Sequence, residues 1–160
     1  MIDLKTNRKT VLTYVLSAAI ALAAGGISVW INGGNFTAPG PVRPPLSPPA
    51  WLFPIVWTIL FILMGIAAAQ VYTSDSPERQ DALFLYAAQL VVNVLWTVFF
   101  FRFDALLLSA FWLVFLLALV ALTALRFERT SPGAGKLLVP YLLWLLFALY
   151  LNVAAWVVNR

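Results

Sequence analysis

Five apolar runs of about twenty residues, at 11–31, 50–72, 82–101, 105–125 and 137–158, leave this chain few ways to fold. That is the length at which an α-helix crosses the hydrocarbon core of a bilayer. Nothing in the core except the protein can satisfy a backbone N–H or C=O, so each run must close its own hydrogen bonds as a helix. The composition agrees: 63% of residues are hydrophobic and 10% charged, against a charged share of about 25% in soluble domains. The expectation is an all-α membrane protein, a five-transmembrane-helix bundle forming a single domain over 1–160, with the lipid bilayer as its solvent. The first run is about twice the length of a signal-peptide core and has no small-residue cleavage pattern, so it reads as a span.

Five spans put the termini on opposite sides. Lys5, Arg8, Lys9, Arg79, Arg126, Arg129 and Lys136 fall on the N-terminal side, and Arg43, Arg102 and Arg160 on the other. This bias predicts a cytoplasmic N-terminus and accounts for the net charge of +4 without nucleic acid as a partner. A bacterial cell membrane is the simplest location.

The connection at 32–49, NGGNFTAPGPVRPPLSPP, is rich in Gly and Pro and predicts a shaped, lid-like loop over the bundle mouth. It includes a formal glycosylation sequon, Asn35-Phe36-Thr37, without meaning in a bacterial chain. Pro48-Pro49 suit the start of the second span, and Pro54, a little deeper, is expected to kink it. The short Arg102-Phe103-Asp104 link makes spans three and four antiparallel neighbours. The fourth span, almost featureless, is expected to be mostly lipid-facing.

Polar residues inside the runs say which faces point inward. Tyr86, Gln89, Asn93, Trp96 and Phe100 recur every three or four residues and form one stripe on the third span. Amides at membrane depth need partners inside the protein or on something bound there. Trp57, Phe61, Gly65 and Ala68 mark the second span, with Gly65 as a close-packing point. Trp144, Ala148 and Asn152 mark the fifth. Ser17, Ala21 and Gly25 leave one face of the first span nearly bare, for packing within the bundle or for a homodimer seam. A cavity walled by spans two, three and five would suit a large, flat, mostly apolar ligand; otherwise the aromatics form interfacial belts and the amides tie helices together.

The chain has no His and no Cys, which excludes thiol and imidazole catalysis and the usual ligation of zinc or haem iron; no metal site is expected. All six acidic residues lie outside or at the edges of the spans, against proton or sodium coupling. No phosphate-binding loop, paired-carboxylate site or nucleophile–base pair is present.

Several motifs together resemble a known family. Arg43-Pro44, Pro48-Pro49-Ala50-Trp51, Phe53-Pro54-Ile55-Val56-Trp57-Thr58, Leu63-Met64-Gly65, Gln89-Leu90 with Asn93, Trp96 and Phe99-Phe100, and Pro140-Tyr141 with Trp144, Ala148, Leu151-Asn152, Trp156 and Asn159 look like the tryptophan-rich sensory protein (TspO) family, also called translocator proteins or peripheral-type benzodiazepine receptors. The resemblance implies a five-helix bundle, commonly a homodimer, with a pocket under the first loop that binds porphyrins such as protoporphyrin IX, for sensing, transport or turnover. No cofactor is implied; the porphyrin is the ligand. Carried over by position, Trp57, Phe61, Asn93, Phe99, Trp112, Trp144 and Ala148 would line the pocket. Trp57 and Trp144 would be the photochemical residues if the function were light-dependent porphyrin degradation; a ligand-free structural membrane protein is the remaining alternative. The chain departs from the family at Leu46, where an aromatic is usual, and at Phe36, which replaces a Trp-Tyr pair. Tyr150 lacks the following basic residue of the sterol-recognition pattern, so sterol binding is not expected.

Overall fold

A computed structural model describes residues 4–34 and 38–160, with side chains from Arg8 onward. The sequon Asn35-Phe36-Thr37 and the side chain of Lys5 lie outside the described residues. Among the described residues five helices are long and apolar enough to cross a membrane: α1 (Leu4–Ile31), α2 (Leu52–Tyr72), α3 (Arg79–Thr97), α4 (Leu106–Thr130) and α5 (Val139–Val158). A π turn, Val98–Arg102, continues α3, and a 3-10 turn, Gly135–Leu138, leads into α5. The all-α, five-helix expectation holds, and the helices run past the apolar runs into their polar flanks.

The bundle is closed by a chain of neighbours. α1 packs on α2 and α3, α3 on α4, α4 on α5, and the 3-10 turn brings the start of α5 back against α2. Small residues set the closest approach. A Cβ on Gly65 would lie 2.4 Å from the Ala18 Cα, and one on Gly25 would lie 2.6 Å from the Phe61 ring. The bare face of α1 is therefore used within the bundle, against α2. As befits a protein dissolved in lipid, large apolar side chains also cover the outside; Phe84, Phe111, Ile20 and Leu143 are all more than 60% exposed.

Several polar side chains inside the spans find partners on their own helix or on a neighbour. Thr123 and Thr130 donate back to the carbonyls of Leu119 and Arg126 four residues earlier. The Asn152 amide donates to Ser109 Oγ at 2.8 Å, joining α5 to α4. The Trp112 indole donates to the Val92 carbonyl at 2.8 Å, joining α4 to α3.

Two expectations need refining. Beside its lipid-facing surface α4 has an inner face that the sequence did not show: Ser109, Leu113, Leu116, Val120, Thr123 and Phe127 form a buried stripe. Both faces of a membrane helix are apolar, so hydropathy carries no period there and the inner face goes unseen. Pro54 need not kink α2. The helix begins at Leu52, which puts Pro54 in the first turn, where a missing N–H breaks no intrahelical bond.

The loop after α1 is shaped by its prolines. Pro44 to Ser47 make a turn closed by the Ser47 N–H on the Pro44 carbonyl and by the Ser47 hydroxyl on the same oxygen. Leu46 takes the left-handed position at φ 61°, with Pro45 before it, the arrangement of a type II turn.

Candidate ligand-binding site

Two neighbouring cavities occupy the loop-proximal half of the bundle. The first, about 190 Å³, lies between α1, α2 and α3 and is lined by Leu22, Gly25, Gly26, Ser28 and Val29 of α1, Phe53, Pro54, Trp57, Thr58 and Phe61 of α2, Asn93, Val94 and Thr97 of α3, and Phe101 of the π turn. The second, about 80 Å³, lies under the loop between α2, α3 and α5, against Ala38, Arg43, Pro44, Ser47, Pro48, Ala50, Phe53, Trp96, Phe100, Phe101, Ala148 and Leu151. Phe53 and Phe101 line both. Each cavity falls short of the roughly 300 Å³ at which pockets begin to enclose drug-sized molecules.

The stripe on α3 turns inward as its spacing requires. Tyr86, Gln89, Asn93, Trp96 and Phe100 are all buried, but the two amides differ. Gln89 accepts from the Tyr141 hydroxyl at 3.3 Å and donates toward Met64 Sδ at 3.8 Å, tying α3 to α5 and α2. Asn93 is 2% exposed and its Oδ1 has no partner, while the residue lines the first cavity. Trp96 and Trp144 carry buried indole N–H groups that are likewise unpaired. An unpaired polar group in such surroundings costs several kcal/mol on water-to-hydrocarbon scales, on the order of 4–8. The Asn93 acceptor at the first cavity and the Trp96 donor at the second give each void an unpaired polar group with which to meet a ligand.

Ring contacts organise the walls. Trp57 meets Phe61 at 5.6 Å, Trp96 at 6.1 Å and Tyr141 at 5.9 Å between centroids. Trp96 stacks on Phe100 at 5.6 Å. These distances fall in the attractive range for aromatic pairs, so the wall is pre-organised. The outer end of the first cavity is bracketed by Ser28 and Thr97, whose hydroxyls are 2.6 Å apart, and by Asn32, which donates to Thr97 Oγ1 at 2.9 Å and to the Ser28 carbonyl at 2.8 Å. Arg102 donates to the Ile31 carbonyl. Together they fix the end of α1 to the end of α3.

The residues singled out from sequence divide among several places. Trp57, Phe61 and Asn93 share the first cavity, and Ala148 lies at the second. Trp144 meets the Phe53 ring edge-on at 5.7 Å and lines neither. Phe99 packs on Trp112 at 4.9 Å on the α3–α4 seam, and neither residue lines either of these two cavities. α1 supplies a wall that the sequence did not announce, because its small residues signalled contact and gave no sign of a gap. Phe53 and Phe101 were also missed. Phe101 follows Asn93 and Thr97 at steps of eight and four residues and so lies on their side of the helix, which continues past Thr97 as a π turn with the Phe103 N–H bonded to the Val98 carbonyl five residues back.

A profile of the TspO/MBR family matches residues 11–157. The "Tryptophan-rich protein TspO" of Chlorobaculum tepidum is 41% identical over 154 residues, covering 90% of this chain and 94% of that protein. The "Tryptophan-rich sensory protein" of Cereibacter sphaeroides is 38% identical over 117 residues, 73% of each chain. The "Translocator protein" of Bos taurus is 34% identical over 121 residues, covering 74% of this chain and 72% of its own.

Proposed function

The chain belongs to the TspO/MBR family, and from that premise we propose that this integral membrane protein binds a flat tetrapyrrole of the protoporphyrin IX type in its aromatic cavities. The observation that carries the reading is Asn93, a buried amide with an unpaired oxygen at the wall of a cavity that Trp57, Phe61 and Phe53 also line. The rings offer flat apolar surface to a macrocycle, and the unpaired Asn93 oxygen and Trp96 indole offer hydrogen bonds to its few polar atoms. A macrocycle exceeds either cavity alone. Binding therefore requires the bundle to open around the two cavities, with Phe53 and Phe101, the side chains common to both, turning aside.

The chain has no His or Cys with which to hold iron in the usual way, so the metal-free porphyrin is the appropriate ligand. Protoporphyrin IX titrated into detergent-solubilised protein should quench tryptophan fluorescence at near one-to-one stoichiometry. Asn93→Ala and Trp57→Ala should each weaken binding by about tenfold, the scale of one lost charge-free hydrogen bond with its desolvation or one lost ring contact. Unchanged binding in both variants would remove the cavity from the site. The reading includes a bacterial cell membrane with a cytoplasmic N-terminus, supported by the basic residues at that end of the bundle.

A further inference from the structure

We propose that the loop end of the site is an acid-receiving rim, in which Arg43 takes a carboxylate carried on the edge of the ligand while the apolar body lies deeper. The inference rests on the tetrapyrrole reading above and adds the orientation of the ligand and the residue that selects for its acid.

Arg43 is the one charged residue in the linings of the two cavities. No carboxylate stands within ion-pair distance of it among the described residues, where Arg126 with Glu78 is the salt bridge found. The backbone on both sides of Arg43 is pinned. Before it, the Val42 N–H donates to Asn159 Oδ1 at 3.0 Å, and Asn159 Nδ2 donates back to the Val42 carbonyl at 3.0 Å. That same Nδ2 also donates to the Ala155 carbonyl at 2.9 Å, anchoring the pair to the end of α5. After it, the Tyr150 hydroxyl donates to the Pro45 carbonyl at 3.1 Å. Gly40 keeps this seam tight, since a Cβ there would fall 2.3 Å from Asn159 Cγ and the backbone sits at φ +91°.

These hydrogen bonds fix the residues around a cation that has no carboxylate partner. Below it the second cavity is apolar except for Ser47, already committed to Pro44, and the unpaired indole N–H of Trp96. Chemistry then sets the ligand's direction. A carboxylate is costly at membrane depth and stays at the mouth, where a guanidinium offers a planar fork that matches it. Because Arg43 is exposed, water weakens the pair, and its effect is selection among ligands of one shape more than bulk affinity.

The test compares protoporphyrin IX, a diacid, with its dimethyl ester, by fluorescence quenching in a non-ionic detergent free of lipid so that no headgroup phosphate competes. Wild-type protein should prefer the diacid by about three- to tenfold. Arg43→Gln should bring that ratio to about one, chiefly by weakening the diacid, and Arg43→Lys should keep most of the preference. Asn159→Ala, which unpins the loop without touching the ligand, should lower the ratio and spare the ester. Equal binding of acid and ester by wild type, an undiminished ratio in Arg43→Gln, or loss of ester binding in that variant would each overturn the rim. If neither compound binds wild type, the tetrapyrrole reading falls and the rim with it.

Discussion

Asn93 and Gln89 are one helical turn apart on the same buried stripe and do different work. Gln89 commits its oxygen to the Tyr141 hydroxyl, so Gln89→Leu leaves a buried hydroxyl unpaired and should cost about 1–3 kcal/mol. Asn93 has an oxygen with no partner to lose; replacing it with an isosteric apolar residue removes a desolvated polar group and leaves nothing behind. Asn93→Leu should therefore match or exceed wild type in thermal unfolding in detergent and still bind porphyrin more weakly. Gln89→Leu should unfold at lower temperature. Equal destabilisation by the two would make Asn93 a structural amide. Position alone marked Asn93 in the sequence, where both amides read as inward-facing; only the placement of Tyr141 and Met64 separates a tie between helices from a group turned to a cavity.

At the scale of elements, helix existence and the inward stripes of α3 and α5 could be read from apolar run length and from polar residues in lipid. The inner face of α4 could not, since apolar residues fill both of its sides. The π turn after α3 was equally invisible, because VFFFR contains nothing that distinguishes five residues per bond from four; in that turn Phe101 lines the cavity and Phe99 packs on the α4 seam. α1 is the other case. It buries the smallest share of its residues of the five helices and is held by the Gly65 contact at its middle and the Ser28–Thr97–Asn32 bracket at its end. Gly65→Val drives a Cβ into the backbone of Ala18, which cannot yield as a side-chain tip would, and should cost at least about 1–3 kcal/mol. A methyl group on Gly26 of α1 would meet nothing within 4 Å, so Gly26→Ala should be neutral or slightly stabilising. Thermal unfolding of the ligand-free pair checks this: similar midpoints would mean that α1 does not depend on close approach to α2.

For the molecule as a whole, the two ends of the bundle differ in their number of basic residues, and the fold gathers that difference onto two opposed surfaces. One end brings together the start of α1 and the α2–α3 and α4–α5 connections, with Arg8, Lys9, Arg79, Arg126, Arg129 and Lys136; the other carries Arg43, Arg102 and Arg160. At the first end Arg126 and Glu78 are 3.7 Å apart with both side chains about half exposed, so that pair adds little to stability and leaves the basic excess to set orientation. The second end holds the loop, Arg43 and the mouth of the site. Under the proposed cytoplasmic N-terminus the acid-receiving rim faces away from the cytoplasm, and a ligand would reach it from the outer surface or the outer leaflet. Because the chain has no native Cys, single cysteines report this cleanly. Asp75 and Phe103 are exposed residues at opposite ends of the bundle. In intact bacterial cells a membrane-impermeant maleimide should label Phe103→Cys at once and Asp75→Cys only after the membrane is permeabilised; the reverse pattern would place the rim, and the supply of its ligand, on the cytoplasmic side.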